Sequence, residues 1–198
     1  MSSFLENFTL TNCKQQLIKN YDFEMISKQE KFLLLFNPIK KNLWRFCLSI
    51  TYCYDDAKDL LQDTIEIAYK DFDNLKHYEA FLSWLFSIAS RKNYSQIRKN
   101  LKNETYKEEN FEYLESGETQ PDKLFELKLL SEALNLLPYE QKEAIILSNI
   151  MGFSQKEVSN IQGVSIETLK QRIYRGKTEL KLLLNTKIKF ENEINNNN

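Results

Sequence analysis

Between Ser165 and Lys177 the chain reads SIETLKQRIYRGK, and this is where its residue types could do chemistry. Thr168, Lys170, Gln171, Arg172, Tyr174, Arg175 and Lys177 recur at spacings that gather them on the exposed side of one helix, while Leu169 and Ile173 fall on the opposite side and close a core. Cations and an amide presented together suit phosphate oxygens and base edges: Lys and Arg reach phosphates or guanine, and Gln171 can pair with adenine. Ser165 and Thr168, near the helix start, can hydrogen-bond a phosphate there.

A helix with this face has to be held at an angle by a second one. The preceding residues supply it. A short helix from about Ser154 to Asn160, a turn at Gln162-Gly163-Val164 and a second helix from Ser165 past Arg175 make a helix-turn-helix. Ser154 and Ser165 suit N-caps, and Gly163 suits a turn that needs φ > 0. Val158, Ile161, Val164, Leu169 and Ile173 are spaced to share a small core. The motif implies contact with DNA.

The formal net charge of the 198 residues is only −1, so no global field draws this chain to a polyanion. Any attraction must come from local blocks. Ser165–Lys189 carries seven Lys/Arg against two Glu, and Arg91–Lys107 carries six against one. Asp55–Glu79 carries eight acids against three Lys, and Glu104–Asp122 seven acids against Lys107 alone. Four glycines and three prolines, with abundant Leu, Lys, Glu and Ile, favour an all-α fold. Cys13, Cys47 and Cys53 are an odd set that fits a reducing compartment, with Cys47 a buried free thiol. With a single histidine, His77, no metal site, nucleophile–base pair or glycine-rich phosphate loop is expected, and neither is a cofactor or an enzyme activity. The longest apolar run, Phe32–Phe36, is too short to span a bilayer, and a soluble cytoplasmic protein is expected.

The expected organisation is an N-terminal arm over 1–27, a four-helix domain over 28–102, an acidic flexible linker over 103–121, a helix-turn-helix domain over 122–186 and a disordered tail over 187–198. In the first domain Asn37-Pro38 kinks or restarts a helix spanning Lys28–Thr51, Asp55 is an N-cap, and a third helix runs to about Phe72. A polar connection over Asp73–Glu79 leads to a fourth helix from about Ala80 to Leu101. There Phe81, Trp84, Leu85, Ile88, Ala89 and Ile97 face inward. In the second domain helices are expected over Lys123–Leu136 and from Pro138 to about Asn149.

Two stretches in this order resemble bacterial RNA polymerase sigma factors of the small two-domain extracytoplasmic-function (ECF) group. The first is DAKDLLQDTIEIAY, Asp56–Tyr69, followed by FLSWLFSIASRKNYSQIRK, Phe81–Lys99. The second is LNLLPYEQKEAIILSNIMGFSQKEVSNIQGVSIETLKQRIYRGKTEL, Leu134–Leu180. The resemblance implies that the helix bearing Asp56, Asp59, Leu60, Gln62, Asp63 and Glu66 docks on a coiled coil of core RNA polymerase, with its acids steering a basic partner. It implies that the fourth helix and its preceding loop capture the non-template strand of the promoter −10 element. Asn74, Lys76, His77 and Tyr78 are the candidates in the loop, and Arg91, Lys92, Tyr94, Gln96, Arg98 and Lys99 on the helix. Trp84 falls on the buried stripe. The helix-turn-helix would read the duplex −35 element, and the acidic linker resembles in place and charge the segment that family members thread toward the RNA exit path. An anti-sigma factor is a partner this group usually has. The competing reading is a helix-turn-helix operator-binding regulator that is not a polymerase subunit; a third is a sigma-factor mimic that sequesters a partner.

Overall fold

Ser27 caps the first helix by accepting a hydrogen bond from the Glu30 N–H, while its own N–H donates to Glu30 Oε2 at 2.9 Å. Two of the unpaired donors at the helix start are thereby satisfied. The computed structural model describes residues 26–51, 53–102 and 121–196, and the regular elements among them are all helical. Helix α1 spans Lys28–Phe36, and α2 spans Lys40–Thr51. Pro38 sits between them in a 3₁₀ turn, Asn37–Ile39, because a residue with no N–H and a fixed φ interrupts the i→i−4 ladder. Helix α3, Tyr54–Asp71, begins one residue before Asp55, so that acid is not the cap. Cys53 holds the cap position without a side-chain bond, and Asp55 and Asp56 lie in the first turn, where the helix dipole favours negative charge.

The connection over 72–80 tightens into two 3₁₀ turns, Phe72–Asn74 and Tyr78–Ala80, before α4, Phe81–Lys102. Residues 103–120 of the expected linker lie outside the described residues, as do residues 1–25 of the expected arm over 1–27 and Cys13 with them; past residue 120 α5 spans Pro121–Asn135. Helix α6, Tyr139–Ile145, starts behind Pro138 and opens into a π-helical turn, Ile146–Ile150, instead of running as a regular helix to Asn149. Then come α7, Gln155–Gln162, and α8, Ile166–Asn196. The backbone of α8 is helical through Asn196, across most of the stretch expected as a tail over 187–198. No proline or glycine follows Gly176, so nothing in the covalent chain stops the ladder there.

Helices α2, α3 and α4 pack on one another, and α6, α7 and α8 do the same around the helix-turn-helix. An edge-on aromatic cluster fills the far end of the first group. Phe32 meets Tyr69, Phe72 and Phe81 at centroid distances of 5.3, 5.3 and 5.6 Å. The two groups share a continuous apolar core, since α4 packs on α7. Phe86 makes that join. It is 1% exposed, with its ring 4.9 Å from Phe46 of α2 and 4.9 Å from Phe153 ahead of α7. The sequence pattern assigned α4 one inward stripe and left Phe86 out of it; the helix in fact buries apolar side chains against two partners. Lys142 Nζ donates to Ile50 O at 3.1 Å and so binds α6 to the carbonyl end of α2.

Candidate functional site

The helix-turn-helix is fixed locally at three points. Ser154 and Glu157 form a reciprocal capping box on α7. Gly163 ends that helix at φ 65°, ψ 37°, and the Val164 N–H returns to Ser159 O at 3.0 Å. A left-handed residue at this place closes the last turn, and glycine takes it without a Cβ penalty. Ser165 Oγ then accepts from the Thr168 N–H at 3.1 Å, capping α8. Val158, Ile161 and Leu169 are buried, and Val164 and Ile173 pack against them, as the spacing requires.

These caps leave Thr168, Lys170, Gln171, Tyr174, Arg175 and Lys177 exposed along α8, Tyr174 at 74%. Ser165 is exposed beside Thr168. Arg172 departs from the expected face. It is half-buried, and its Nη1 donates to Gln162 Oε1 at 2.9 Å. Gln162 Nε2 donates in turn to Glu143 Oε2 at 2.9 Å and to Glu140 O at 3.1 Å. Glu143 is 2% exposed and accepts from Tyr139 Oη at 2.8 Å. Burial holds its carboxyl above the usual range, while hydrogen bonds from Ser90, Tyr139 and Gln162 and the charge of Arg172 pull it back. Burial and the nearby Glu143 carboxylate likewise push the Tyr139 phenol up. None of this cluster was legible in the sequence, where a Lys-Glu pair inside an apolar helix reads as surface. Gly176 is also buried: a Cβ there would lie 2.8 Å from Ile145 Cδ1, so α6 and α8 approach each other where a side chain is missing.

On α3 the acids divide. Asp59, Gln62 and Glu66 are exposed, and Asp56 and Asp63 are half-buried. Asp56, Asp59 and Asp63 line a cleft of about 290 Å³ whose other wall includes Lys92, Gln96 and Asn100 of α4. Asp63 pairs with Lys92 at 3.0 Å, which joins a residue of the expected polymerase face to one of the expected −10 face. Leu60 does not belong to the outward set: it is 5% exposed, in the core on the inward side of α3.

The −10 candidates are spread along α4 and the turns before it. Asn74, Lys76 and His77 are exposed, with His77 Nδ1 3.5 Å from Glu79. Tyr78 packs on Phe72, centroids 5.7 Å apart, and Trp84 is half-buried against the core. Arg91 bonds back to Ser87 O at 3.0 Å, and Gln96 to Asn100 at 3.2 Å. Tyr94 is 40% exposed, stacked 5.8 Å from Tyr139, with Arg98 5.9 Å from its ring; Arg98 and Lys99 are exposed. Among the described residues no group of His, Cys, Asp and Glu could hold a metal ion, and no helix is long and apolar enough to cross a membrane.

Family models match this layout in two blocks. Residues 35–102 match Sigma-70 region 2, and residues 127–180 match Sigma-70, region 4. The chain is similar to the RNA polymerase sigma factor SigV of Bacillus subtilis, 31% identical over 137 residues that cover 69% of this chain and 81% of SigV. It is similar to the ECF RNA polymerase sigma factor EcfG of Rhodopseudomonas palustris, 30% identical over 72% of this chain and 79% of EcfG. Among solved structures it is similar to the sigma factor RpoE of Bartonella quintana, crystallised in complex with the anti-sigma factor NepR. That match has a TM-score of 0.66 at 30% identity, covering 79% of this chain and 96% of RpoE.

Proposed function

The chain belongs to the ECF-type RNA polymerase sigma factors, and from that premise we propose how its surfaces divide the work of initiation. Helix α3 presents Asp56, Asp59, Gln62, Asp63 and Glu66 to core polymerase, where charge complementarity steers and registers the docking. Helix α4 and the turns over 72–80 take the separated non-template strand, with Tyr94 as a stacking face and Arg91, Arg98 and Lys99 on phosphates. Helix α8 enters the major groove of the −35 duplex with Lys170, Gln171, Tyr174 and Arg175. The arm, linker and domain boundaries drawn from the sequence belong to this reading. So do a cytoplasmic location and the absence of any catalysed reaction by this chain: binding energy, not chemistry, opens the duplex. An anti-sigma factor, the kind of partner bound by the similar RpoE, is proposed as its regulator.

The observation that supports this most directly is the segregation of charge on a nearly neutral chain. An acidic face on α3 and a basic face on α8 are both exposed, each in its matching Sigma-70 region. An operator-binding regulator has no need of the region 2 half. The test is run-off transcription with core RNA polymerase on a genomic promoter library. Specific transcripts that depend on the protein and vanish with Arg175→Ala or Asp59→Ala are expected. Sequence-specific duplex binding without transcripts would favour the regulator.

A further inference from the structure

We propose that Arg172, although it lies on the recognition helix, is a positioning residue that anchors α8 to the buried Glu143 through Gln162, and that base reading falls to the neighbouring ridge of Gln171, Tyr174 and Arg175. This rests on the reading of α8 as the −35 helix and assigns roles within it. Position on the helix makes the first argument. Three residues before Arg172 stands Leu169, 0% exposed, and four after it Gly176, also buried, so Arg172 shares the inward face. Gln171, Tyr174, Arg175 and Thr178 follow i, i+3, i+4, i+7 along the exposed face.

Saturation of the amide makes the second argument. Gln162 spends its acceptor on Arg172 and its amide nitrogen on Glu140 O and Glu143 Oε2, at 2.9, 3.1 and 2.9 Å. The side chain therefore clamps α8 to α6 across the helix-turn-helix. Electrostatics makes the third. A carboxylate as buried as Glu143 is costly unless a cation and hydrogen bonds compensate it, and an arginine never gives up its charge. Were Arg172 drawn out to a phosphate, Glu143 would be deprived of the cation that acts on it.

The test uses the full chain assembled with core polymerase and a promoter duplex selected from random DNA by the wild-type holoenzyme. The salt dependence of binding is the discriminating readout, since removing a cation that sits on a phosphate lowers the slope of log K against log salt by about one. Lys177→Ala, an exposed cation of α8 outside that base-reading ridge, should lower it by about that much, whereas Arg175→Ala should relax the sequence preference. Arg172→Met should weaken binding yet keep the wild-type slope. Gln162→Leu, which leaves both charges in place, should weaken binding about tenfold, the worth of one charge-assisted hydrogen bond, again at wild-type slope. In urea unfolding, Arg172→Met and Glu143→Gln together should cost less than the product of their separate effects. A reduced slope for Arg172→Met, wild-type affinity for Gln162→Leu, or independent effects in the cycle each overturn the assignment. If Lys177→Ala also leaves the slope unchanged and Arg175→Ala leaves the sequence preference intact, it is the −35 reading of α8 that fails, and the unfolding cycle still decides the anchoring of Arg172.

Discussion

Glu143→Gln gives a sharp test of the buried polar cluster, because it removes one proton from the folding equilibrium without changing side-chain volume. Glu143 is 2% exposed, and burial raises its folded pKa above the value of about 4.3 expected of an unfolded glutamate. Between those two values the native state holds a proton that the unfolded chain has released. Stability therefore falls as pH rises through that window, by at most about 1.4 kcal/mol per pH unit, the limit for one proton. Below the unfolded value both states are protonated, and above the folded value both are ionised, so the contribution is flat on either side. Glutamine has no such window. Urea midpoints, converted to free energies, would be measured for both proteins over a pH range that starts near the unfolded value and rises from it. The wild-type minus variant difference should decline with rising pH and then level. Superimposed on this is a pH-independent cost of about 1–3 kcal/mol, since the new amide cannot accept from both Tyr139 and Gln162. Parallel profiles across the range would refute the reasoning, because they would mean that Glu143 titrates alike in both states.

Three further outcomes follow from local geometry. Gly163→Ala should cost about 1–2 kcal/mol in urea unfolding, wholly from the left-handed φ of 65°, since an added Cβ meets nothing within 4 Å; a much larger loss would mean that the turn is more crowded than this geometry has it. The Cys47 thiol is fully buried and pushed up to about 12, so in the native protein at mildly alkaline pH a thiol reagent should modify half-exposed Cys53 well before Cys47, and equal rates would count against the packing of α2. Lys92→Ala should change stability by less than about 1 kcal/mol, because its pair with Asp63 is about two-fifths exposed on both sides, while reducing transcription if Lys92 serves DNA; a large stability loss with normal transcription would reverse that assignment.

What the sequence made legible was whatever depends on neighbours along the chain. The caps at Ser154 and Ser165, the turn at Gly163, the core positions Val158, Ile161 and Leu169, and the break at Pro38 are local facts, and the structure has them where spacing put them. Asp55 failed as a cap because Tyr54 joins the helix before it, a one-residue matter that tertiary packing decides. Leu60 entered the docking set with the family resemblance, although helical period puts it on the apolar stripe with Ala57, Thr64 and Ala68, where it is buried. Arg172 was misplaced, and Glu143 was passed over, for a deeper reason. A charged residue is exposed by default, and its exception needs a partner from another element. Gln162 and Tyr139 provide those partners at 2.9 and 2.8 Å, and no pattern within α8 alone could have announced them.

The contact between the two helical groups has a composition that bears on how the proposed −10 reader works. Its apolar centre is the Phe86–Phe153 pair; around it lie the Tyr94–Tyr139 stack, the Tyr139 hydroxyl 3.4 Å from Ser90 O, and the Lys142 bond to Ile50 O. Because water replaces them when they part, the neutral bond of Tyr139 is worth about 0.5–1.5 kcal/mol net and the bond from the charged Lys142 about 1.5–3 kcal/mol. The ring of Tyr94 is occupied: Tyr139 stacks on it and Arg98 lies over it. A DNA base that stacked on Tyr94 would have to displace one of them. A base–aromatic stack contributes about 1–3 kcal/mol, against about 0.5–1.5 kcal/mol for an aromatic pair, so the exchange of Tyr139 for a base runs from slightly unfavourable to clearly favourable. The Phe86–Phe153 contact has no such replacement, since water cannot stand in for an apolar partner. Full separation of α4 from α7 therefore has to be offset by surfaces elsewhere, and the exposed acidic face of α3, on the same helical group as Tyr94, is where docking to polymerase would supply it.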